Sequence, residues 1–276
     1  MTLTHPLSFK KGGRTLITFA SLYSGSSGNS TLIYDGSDAI LIDVGKNAKQ
    51  TMLTLNELDI APEKLRAVFV THEHSDHIAG IRVLCQRYGI PLFASGGTLE
   101  ALEDKGHLKG DFPVYKISDY ADVAGFHIEC FHTSHDAAES MGYTVETESG
   151  RKLALATDLG IMTDEVKSSI MGSNAIILES NHDLNMLFNG PYPYPLKRRI
   201  AGDRGHLSND VAAETAKALV ENGTEHIILG HISENNNIPE LAVQTTTGEL
   251  MTIGAKQEKD YRLFAGKHNS IVKVEV

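Results

Sequence analysis

Four residues of metal-binding type stand within one short stretch of the sequence: His72, His74, Asp76 and His77. Imidazole nitrogens and carboxylate oxygens are ligands that zinc, manganese and iron accept in proteins. The stretch follows the apolar residues 67–70, which predict a buried strand. Because side chains alternate along a strand, His72 and His74 point the same way. We expect this pair to hold one metal ion, and Asp76 and His77 to reach a second.

Three further candidate ligands each follow a predicted strand elsewhere in the chain. These are His135 after residues 126–131, Asp158 after residues 152–157, and His231 after residues 226–229. Two metal ions about 3.5–4 Å apart can share a water, lower its pKa and bind the oxygens of a reacting phosphate or carbonyl. Each of the three residues taken alone could equally be structural. The chain contains 13 histidines, and single histidines are usually structural.

The elements around these residues predict an α/β fold with many strands and few helices. Helices are expected at residues 46–58 and 78–88, and another is expected to begin at Ser208 or Asn209 and to run to about Leu219. The remaining predicted strands cover residues 16–20, 31–34, 39–43, 91–94, 114–117, 142–146 and 175–179. This mixture favours two sheets faced by helices on their outer sides, in four layers, over a regular βαβ repeat.

Length and composition indicate one large core. The chain has 276 residues, of which 41% are hydrophobic, and we expect a single domain over residues 1–276. No stretch approaches the roughly 20 apolar residues of a membrane helix, and the N-terminus lacks the core of a secretory signal. A soluble cytoplasmic protein without a membrane partner is expected. Cys85 and Cys130 are too few for a disulfide framework and are expected to be reduced and buried.

The formal net charge of −10 argues against broad nonspecific attraction to nucleic acid or anionic membranes. It does not exclude a local basic channel. The densest basic patch contains Lys197, Arg198, Arg199 and Arg204, beside the aromatic residues Tyr192 and Tyr194. Such a patch suits either a nucleic-acid strand or a solvated charged face.

Residues 71–77 (THEHSDH) resemble the H-x-H-x-D-H signature of the metallo-β-lactamase superfamily, and Asp43 after an apolar strand resembles its first motif. The resemblance spans essentially the whole chain. It implies a metallo-β-lactamase-type αββα sandwich with the site along one edge. It also implies two divalent metal ions, which would be Zn²⁺, Mn²⁺ or Fe²⁺. Their implied ligands are His72, His74 and His135 for the first, Asp76, His77 and His231 for the second, and Asp158 between them.

Further runs are similar to the YycJ (WalJ) family, whose members are described as single-domain nucleases that degrade DNA from a 5′ end. The runs are residues 25–30 (GSSGNS), 133–137 (TSHDA), 179–183 (ESNHD), 205–209 (GHLSN) and 230–236 (GHISENN). The block after Asp158 is too short for the extra domain that many nucleases of the superfamily insert. DNA binding is therefore left to loops or to a partner, such as a DNA-repair protein.

Several residues keep two interpretations. Asp43 either orients a ligand histidine through a hydrogen bond or is a structural turn acid. Residues 25–30 either face a phosphate with their backbone N–H groups or form a plain hairpin turn. His182 and His206 either contact phosphate or donate a proton to the leaving oxygen, or they are capping or buried structural histidines.

The leading functional hypothesis is a two-metal-dependent phosphodiesterase, namely a DNA exonuclease that acts from 5′ ends. A metal-bound hydroxide would attack phosphorus and the second metal would stabilise the leaving oxygen, with Asp76, His206 and His182 as catalytic residues. One alternative is a hydrolase of a small-molecule ester, thioester, lactone or cyclic phosphodiester, because one metal site serves many substrates. Another is a noncatalytic metal-binding partner, against which the complete ligand set argues.

Overall fold

Two seven-stranded sheets lie face to face in the computed structural model, which describes residues 16–276. Residues 1–15, part of the single domain predicted over residues 1–276, lie outside the described part. The first sheet contains, in spatial order, β14 (Val272–Glu275), β1 (Thr18–Tyr23), β2 (Ser30–Tyr34), β3 (Ala39–Ile42), β4 (Leu65–Phe69), β5 (Leu92–Ala94) and β6 (Val114–Lys116). The second contains β13 (Arg262–Ala265), β12 (His226–Gly230), β11 (Ala175–Glu179), β10 (Lys152–Ala156), β9 (Met141–Thr147), β8 (Phe126–His132) and β7 (Tyr120–Val123).

Helices cover the outer face of each sheet. The first sheet packs against α1 (Ala48–Asn56), α2 (Ser75–Ile78), α3 (Ile81–Tyr88) and α4 (Gly96–Asp104). The second packs against α5 (Asp164–Ile170), α8 (Asn209–Glu221) and α9 (Pro239–Met251), while the short helices α6 (Leu184–Asn189) and α7 (Tyr194–Ile200) follow β11. A 3-10 turn at Pro62–Lys64 precedes β4. The sequence predicted few helices and missed α4, α5, α6, α7 and α9.

The apolar strands bury both faces because each sheet lies between helices and the other sheet. In β3, Ile40 and Ile42 face the second sheet, whereas Leu41 packs with the outer helices. In β11, Ile177 faces inward and Leu178 faces outward. Strands buried on both faces read as continuous apolar runs. The predicted four-layer αββα architecture is confirmed.

The carboxyl ends of the parallel strands β3, β4, β10, β11 and β12 meet at one edge of the sandwich, the edge at which α/β folds bind ligands. Hydrogen bonds join the two sheets there. The Tyr143 hydroxyl donates to the carbonyl of Val70 over 2.7 Å. The His231 amide donates to Ser24 Oγ, also over 2.7 Å. This edge is therefore held in a fixed geometry.

Most predicted elements occur within a few residues of their expected bounds. The expected helix 78–88 is divided between α2 and α3, and Gly80 at the break has no room for a side chain beside the carbonyl of Lys46. Ser208 caps α8 by accepting a hydrogen bond from the Val211 amide, as predicted. Cys85 and Cys130 are free thiols, the first buried and the second half-buried. Within residues 16–276, no helix combines the length and apolar sequence needed to cross a membrane.

Gly45 sits where the segment after β3 crosses the segment that carries Asp76. A Cβ at Gly45 would lie 1.8 Å from the Asp76 carbonyl oxygen and 2.3 Å from the Asn29 nitrogen. We expect Gly45→Ala to lower the free energy of unfolding by about 1–3 kcal/mol or more, since backbone would have to move. Gly248, in the middle of α9, has open space around it instead. Gly248→Ala should therefore raise the free energy of unfolding by about 0.5–1 kcal/mol.

Urea unfolding of both variants measures these changes. Equal stability of Gly45→Ala and the wild type would contradict the packing described for this crossing.

Candidate metal centre

The candidate ligands all follow strand ends at the same edge. His72 follows β4, His135 follows β8, Asp158 follows β10 and His231 directly follows β12. Asp158 and His231 adopt positive φ values of 58° and 52°, as does Asp43 at 62° after β3. Positive φ is uncommon for residues other than glycine, and such strain persists where the surrounding structure fixes it, often at functional sites. Strands β3, β10 and β12 therefore end in sharp turns that aim a polar side chain at the edge.

The first group of converging side chains contains His72, His74 and His135. Nε2 of His72 lies 3.0 Å from Nδ1 of His74, and the ring centroids of His72 and His135 are 5.0 Å apart. Burial is the largest cause that lowers the pKa of His72 well below its usual value, followed by the neighbouring histidines. Burial also lowers the pKa of His135. The neutral form is thereby favoured for His72 and His135, and a neutral imidazole offers the lone pair that a metal ion requires.

The second group contains Asp76, His77 and His231. Oδ2 of Asp76 lies 3.5 Å from Nε2 of His77 and 3.9 Å from Nε2 of His231. Asp158 lies between the two groups. Its Oδ1 is 3.9 Å from Nε2 of His135, and its Oδ2 is 3.6 Å from Nε2 of His77. Oδ1 also lies 3.4 Å from Nδ1 of His231, so this carboxylate faces residues of both groups, as expected of a bridging ligand.

Three of these histidines are oriented through their other ring nitrogen. Nδ1 of His77 contacts Asp43 Oδ2 at 2.8 Å, and Nδ1 of His231 contacts Glu179 Oε1 at 2.8 Å. Nδ1 of His135 lies 3.1 Å from the carbonyl of Gly205. A hydrogen bond at Nδ1 leaves Nε2 free to bind a metal, and such partners tune ligand basicity. Asp43 therefore makes the contact that the orienting hypothesis requires.

Asn29 brings the loop of residues 25–30 to the second group. Its Nδ2 lies 3.1 Å from both Asp76 Oδ2 and His77 Nε2, and its Oδ1 accepts a hydrogen bond from the Gly25 amide. The loop is thus fixed beside the candidate ligands, although its two glycines also have the positive φ of a tight turn.

The charge balance of the edge fits a bound cation. Oδ2 of Asp158 and Nε2 of His231 are buried without a hydrogen-bond partner in the described part of the chain. Burial alone would lower the pKa of His231, but the charge of Asp158 and contacts with Asp76 and Glu179 raise it to about 10. A proton on His231 then compensates for the carboxylates. Divalent cations would supply the same compensation and would engage both unpartnered atoms.

Glu179 is a site residue to which the sequence reasoning gave no role. It is fully buried, and its Oε1 lies 2.8 Å from Nδ1 of His231 and 2.9 Å from Nδ1 of His206. Burial opposes charge on Glu179, yet the charges and hydrogen bonds of both histidines hold its pKa well below its usual value. The available signal was an acid at the end of an apolar strand, as at Asp43.

His206 and His182 occupy different positions. The His206 ring lies at the rim, 17% exposed, with its centroid 5.1 Å from that of His135 and 5.0 Å from that of His231. His182 is buried outside the converging groups, and burial lowers its pKa to about 4. Neither of its ring nitrogens has a hydrogen-bond partner within residues 16–276. A catalytic role for His182 stays a prediction.

The basic patch divides into separate roles. Lys197 is buried and donates to the carbonyls of Phe188 and Gly190 over 2.8 and 2.7 Å. Arg204 donates to the His135 carbonyl over 3.1 and 3.0 Å. These two cations hold backbone, so they do not form an open basic surface with Arg198 and Arg199.

Comparison with known proteins agrees with this geometry. The model of the β-lactamase superfamily domain matches residues 38–232. The chain is 40% identical over 231 residues to exodeoxyribonuclease YycJ of Bacillus anthracis, covering 81% of this chain and 85% of that protein. It is 35% identical over 253 residues to exodeoxyribonuclease WalJ of Streptococcus pneumoniae strain D39, covering 89% of this chain and 93% of that protein.

The fold also matches a solved structure. The metallo-β-lactamase fold protein YhfI from Bacillus subtilis superposes with a TM-score of 0.69, covering 94% of this chain and 100% of that chain, at 16% identity. An identity this low concerns the fold alone. The family match and the two sequence relatives confirm the resemblance inferred from the motifs: the chain belongs to the metallo-β-lactamase superfamily and, within it, to the YycJ/WalJ family.

Proposed function

We propose that this chain is a two-metal-dependent phosphodiesterase, specifically a DNA exonuclease that acts from 5′ ends. The observation that carries the proposal is the convergence of two ligand groups on Asp158, with a histidine at the rim beside them. The names of the YycJ and WalJ relatives support DNA as the substrate. The proposal includes a single domain over residues 1–276, a cytoplasmic location and a DNA-repair protein as partner.

The proposed ligands are those that the two groups bring together. The first metal ion is assigned to His72, His74 and His135, the second to Asp76, His77 and His231, and Asp158 is assigned to both. Bound divalent cations would supply a water of lowered pKa and positive charge at the phosphate oxygens. A set of imidazole and carboxylate ligands accepts zinc, manganese or iron.

We assign proton donation to the leaving oxygen to His206. Its Nδ1 is bound to Glu179 Oε1, so its Nε2 is the nitrogen left for substrate at the exposed rim. The carboxylate of Glu179 fixes the orientation of the His206 ring through this contact. The Leu207 and Leu159 amides donate to the second oxygen of Glu179 and fix its orientation.

The first test is nuclease activity on linear duplex DNA labelled at the 5′ end, with Mn²⁺ or Zn²⁺ added. We expect stepwise release of the 5′ label. The release should fall by more than about a hundredfold in Asp76→Ala, because a lost ligand should cost more than a residue that only orients one.

Asp122→Ala is a matched control, since Asp122 pairs with His127 on the surface of the second sheet. Its activity should equal that of the wild type. Label release that persists in Asp76→Ala, or hydrolysis restricted to small-molecule esters, thioesters or lactones, would contradict the DNA exonuclease proposal.

The second test concerns proton donation by His206. In His206→Gln, kcat on DNA should fall by about 10²–10⁴-fold, the usual contribution of general acid catalysis. On bis(p-nitrophenyl) phosphate, whose leaving group needs no proton, the same variant should lose less than about tenfold. Metal content should not change, because His206 is outside both assigned ligand sets.

His127→Gln removes a histidine of a comparable histidine–carboxylate pair, with Nδ1 2.7 Å from Asp122, and should leave both activities intact. Equal losses on DNA and on the activated ester in His206→Gln would show that His206 does not act as the proton donor.

A further inference from the structure

Arg199 lies beside the candidate metal centre at the end of α7. Its Nε and Nη2 contact Asp136 Oδ2 at 2.6 and 2.5 Å. The other oxygen of Asp136, Oδ1, is 3.5 Å from Nε2 of His135. This Oδ1 is buried and has no hydrogen-bond partner among the described residues. The guanidinium is therefore separated from a proposed ligand nitrogen by a single carboxylate group.

Arg199 differs from Lys197 and Arg204 of the basic patch. Lys197 and Arg204 are engaged by backbone carbonyls, whereas the Arg199 side chain is 56% exposed. A guanidinium has five N–H donors, and the contacts with Asp136 use only one edge of it. Donors on the solvent side stay available for a phosphate, which a guanidinium binds with charge-assisted hydrogen bonds.

A DNA strand placed with its scissile phosphate at the centre carries further phosphates on either side. Every nucleotide step of the strand carries a phosphate, so the phosphates next to the scissile one face the rim of the centre. The chain has a net charge of −10, and the free donors of Arg199 give the strand a local point of attachment despite that charge. Asp136 holds the guanidinium at this position before DNA binds.

We propose that Arg199 binds the backbone phosphate adjacent to the scissile phosphodiester and that Asp136 positions it. This inference rests on the proposed DNA exonuclease function. It assigns a substrate contact to a residue outside the ligand groups, and it gives one member of the basic patch a role in DNA binding.

The test is a double-mutant-type cycle, in which a change at Arg199 is combined with removal of one phosphate charge of the substrate. Cleavage is measured for wild type and Arg199→Gln on three strands: 5′-phosphorylated DNA, the same strand with a 5′-hydroxyl, and one with a neutral methylphosphonate on the 3′ side of the scissile position. In the wild type, removing the contacted charge should lower kcat/KM by about 10- to 100-fold. In Arg199→Gln the same removal should have little further effect, because interacting groups are not additive.

Binding gives a second readout that does not depend on cleavage. In an Asp76→Asn background, Arg199→Gln should reduce the slope of log Kobs against log salt by about 1, the contribution of one phosphate contact. Arg66 provides the matched control. It pairs with Asp38 at the opposite end of β4 and its side chain is 50% exposed. Arg66→Gln should leave kcat/KM and the salt slope unchanged.

The outcomes separate the two proposals. An inactive wild type on every DNA substrate would overturn the exonuclease function and this inference with it. An active wild type in which Arg199→Gln behaves like Arg66→Gln, or in which neither flanking phosphate couples to Arg199, would overturn only the role of Arg199.

Discussion

Buried negative charge at one edge of the sandwich is the interaction on which the rest of the structure depends. Asp43, Asp158 and Glu179 are buried there, and Asp76 is half-buried beside them. Removing several carboxylates from water is costly unless each gains a charged or hydrogen-bonding partner. Histidines supply those partners, and each oriented histidine presents a second nitrogen to a common space. The histidines that compensate the buried carboxylates are therefore also the candidate metal ligands.

The fold meets this constraint by placing the polar residues just beyond apolar strands. The strands bury both faces and form the rigid part of the molecule, and the chain then turns sharply at Asp43, Asp158 and His231 through positive φ values. The orienting carboxylates have a similar placement in both sheets. Asp43 follows β3 of the first sheet and Glu179 ends β11 of the second, and each binds Nδ1 of a histidine. This arrangement lets two sheets contribute to one centre.

The sequence predicted the layers and the candidate ligands because both depend on local patterns. Apolar runs identified most central strands, and the spacing of residues 72–77 identified the candidate metal-binding stretch. Strands β7, β13 and β14 were missed, the last two because their pairing with β12 and β1 joins distant parts of the chain. The role of Glu179 was missed for a similar reason. An acid at a strand end is common, and only the fold shows that His206 and His231 both reach it.

The basic patch shows a second limit of sequence reasoning. Composition cannot distinguish a cation exposed to solvent from one that donates to backbone carbonyls. Lys197 donates to the carbonyl of Phe188 and Arg204 to that of His135. These two contacts depend on side-chain direction in the folded chain. Arg199 differs from both, because it is exposed and its partner Asp136 lies beside the centre.

Anomalous diffraction from crystals of the manganese- or zinc-loaded protein tests the central claim most directly. Two metal peaks are expected, one among His72, His74 and His135 and one among Asp76, His77 and His231, with an Asp158 oxygen at each. A single peak, or metal bound elsewhere while these side chains keep their contacts with one another, would contradict a two-metal centre at this edge.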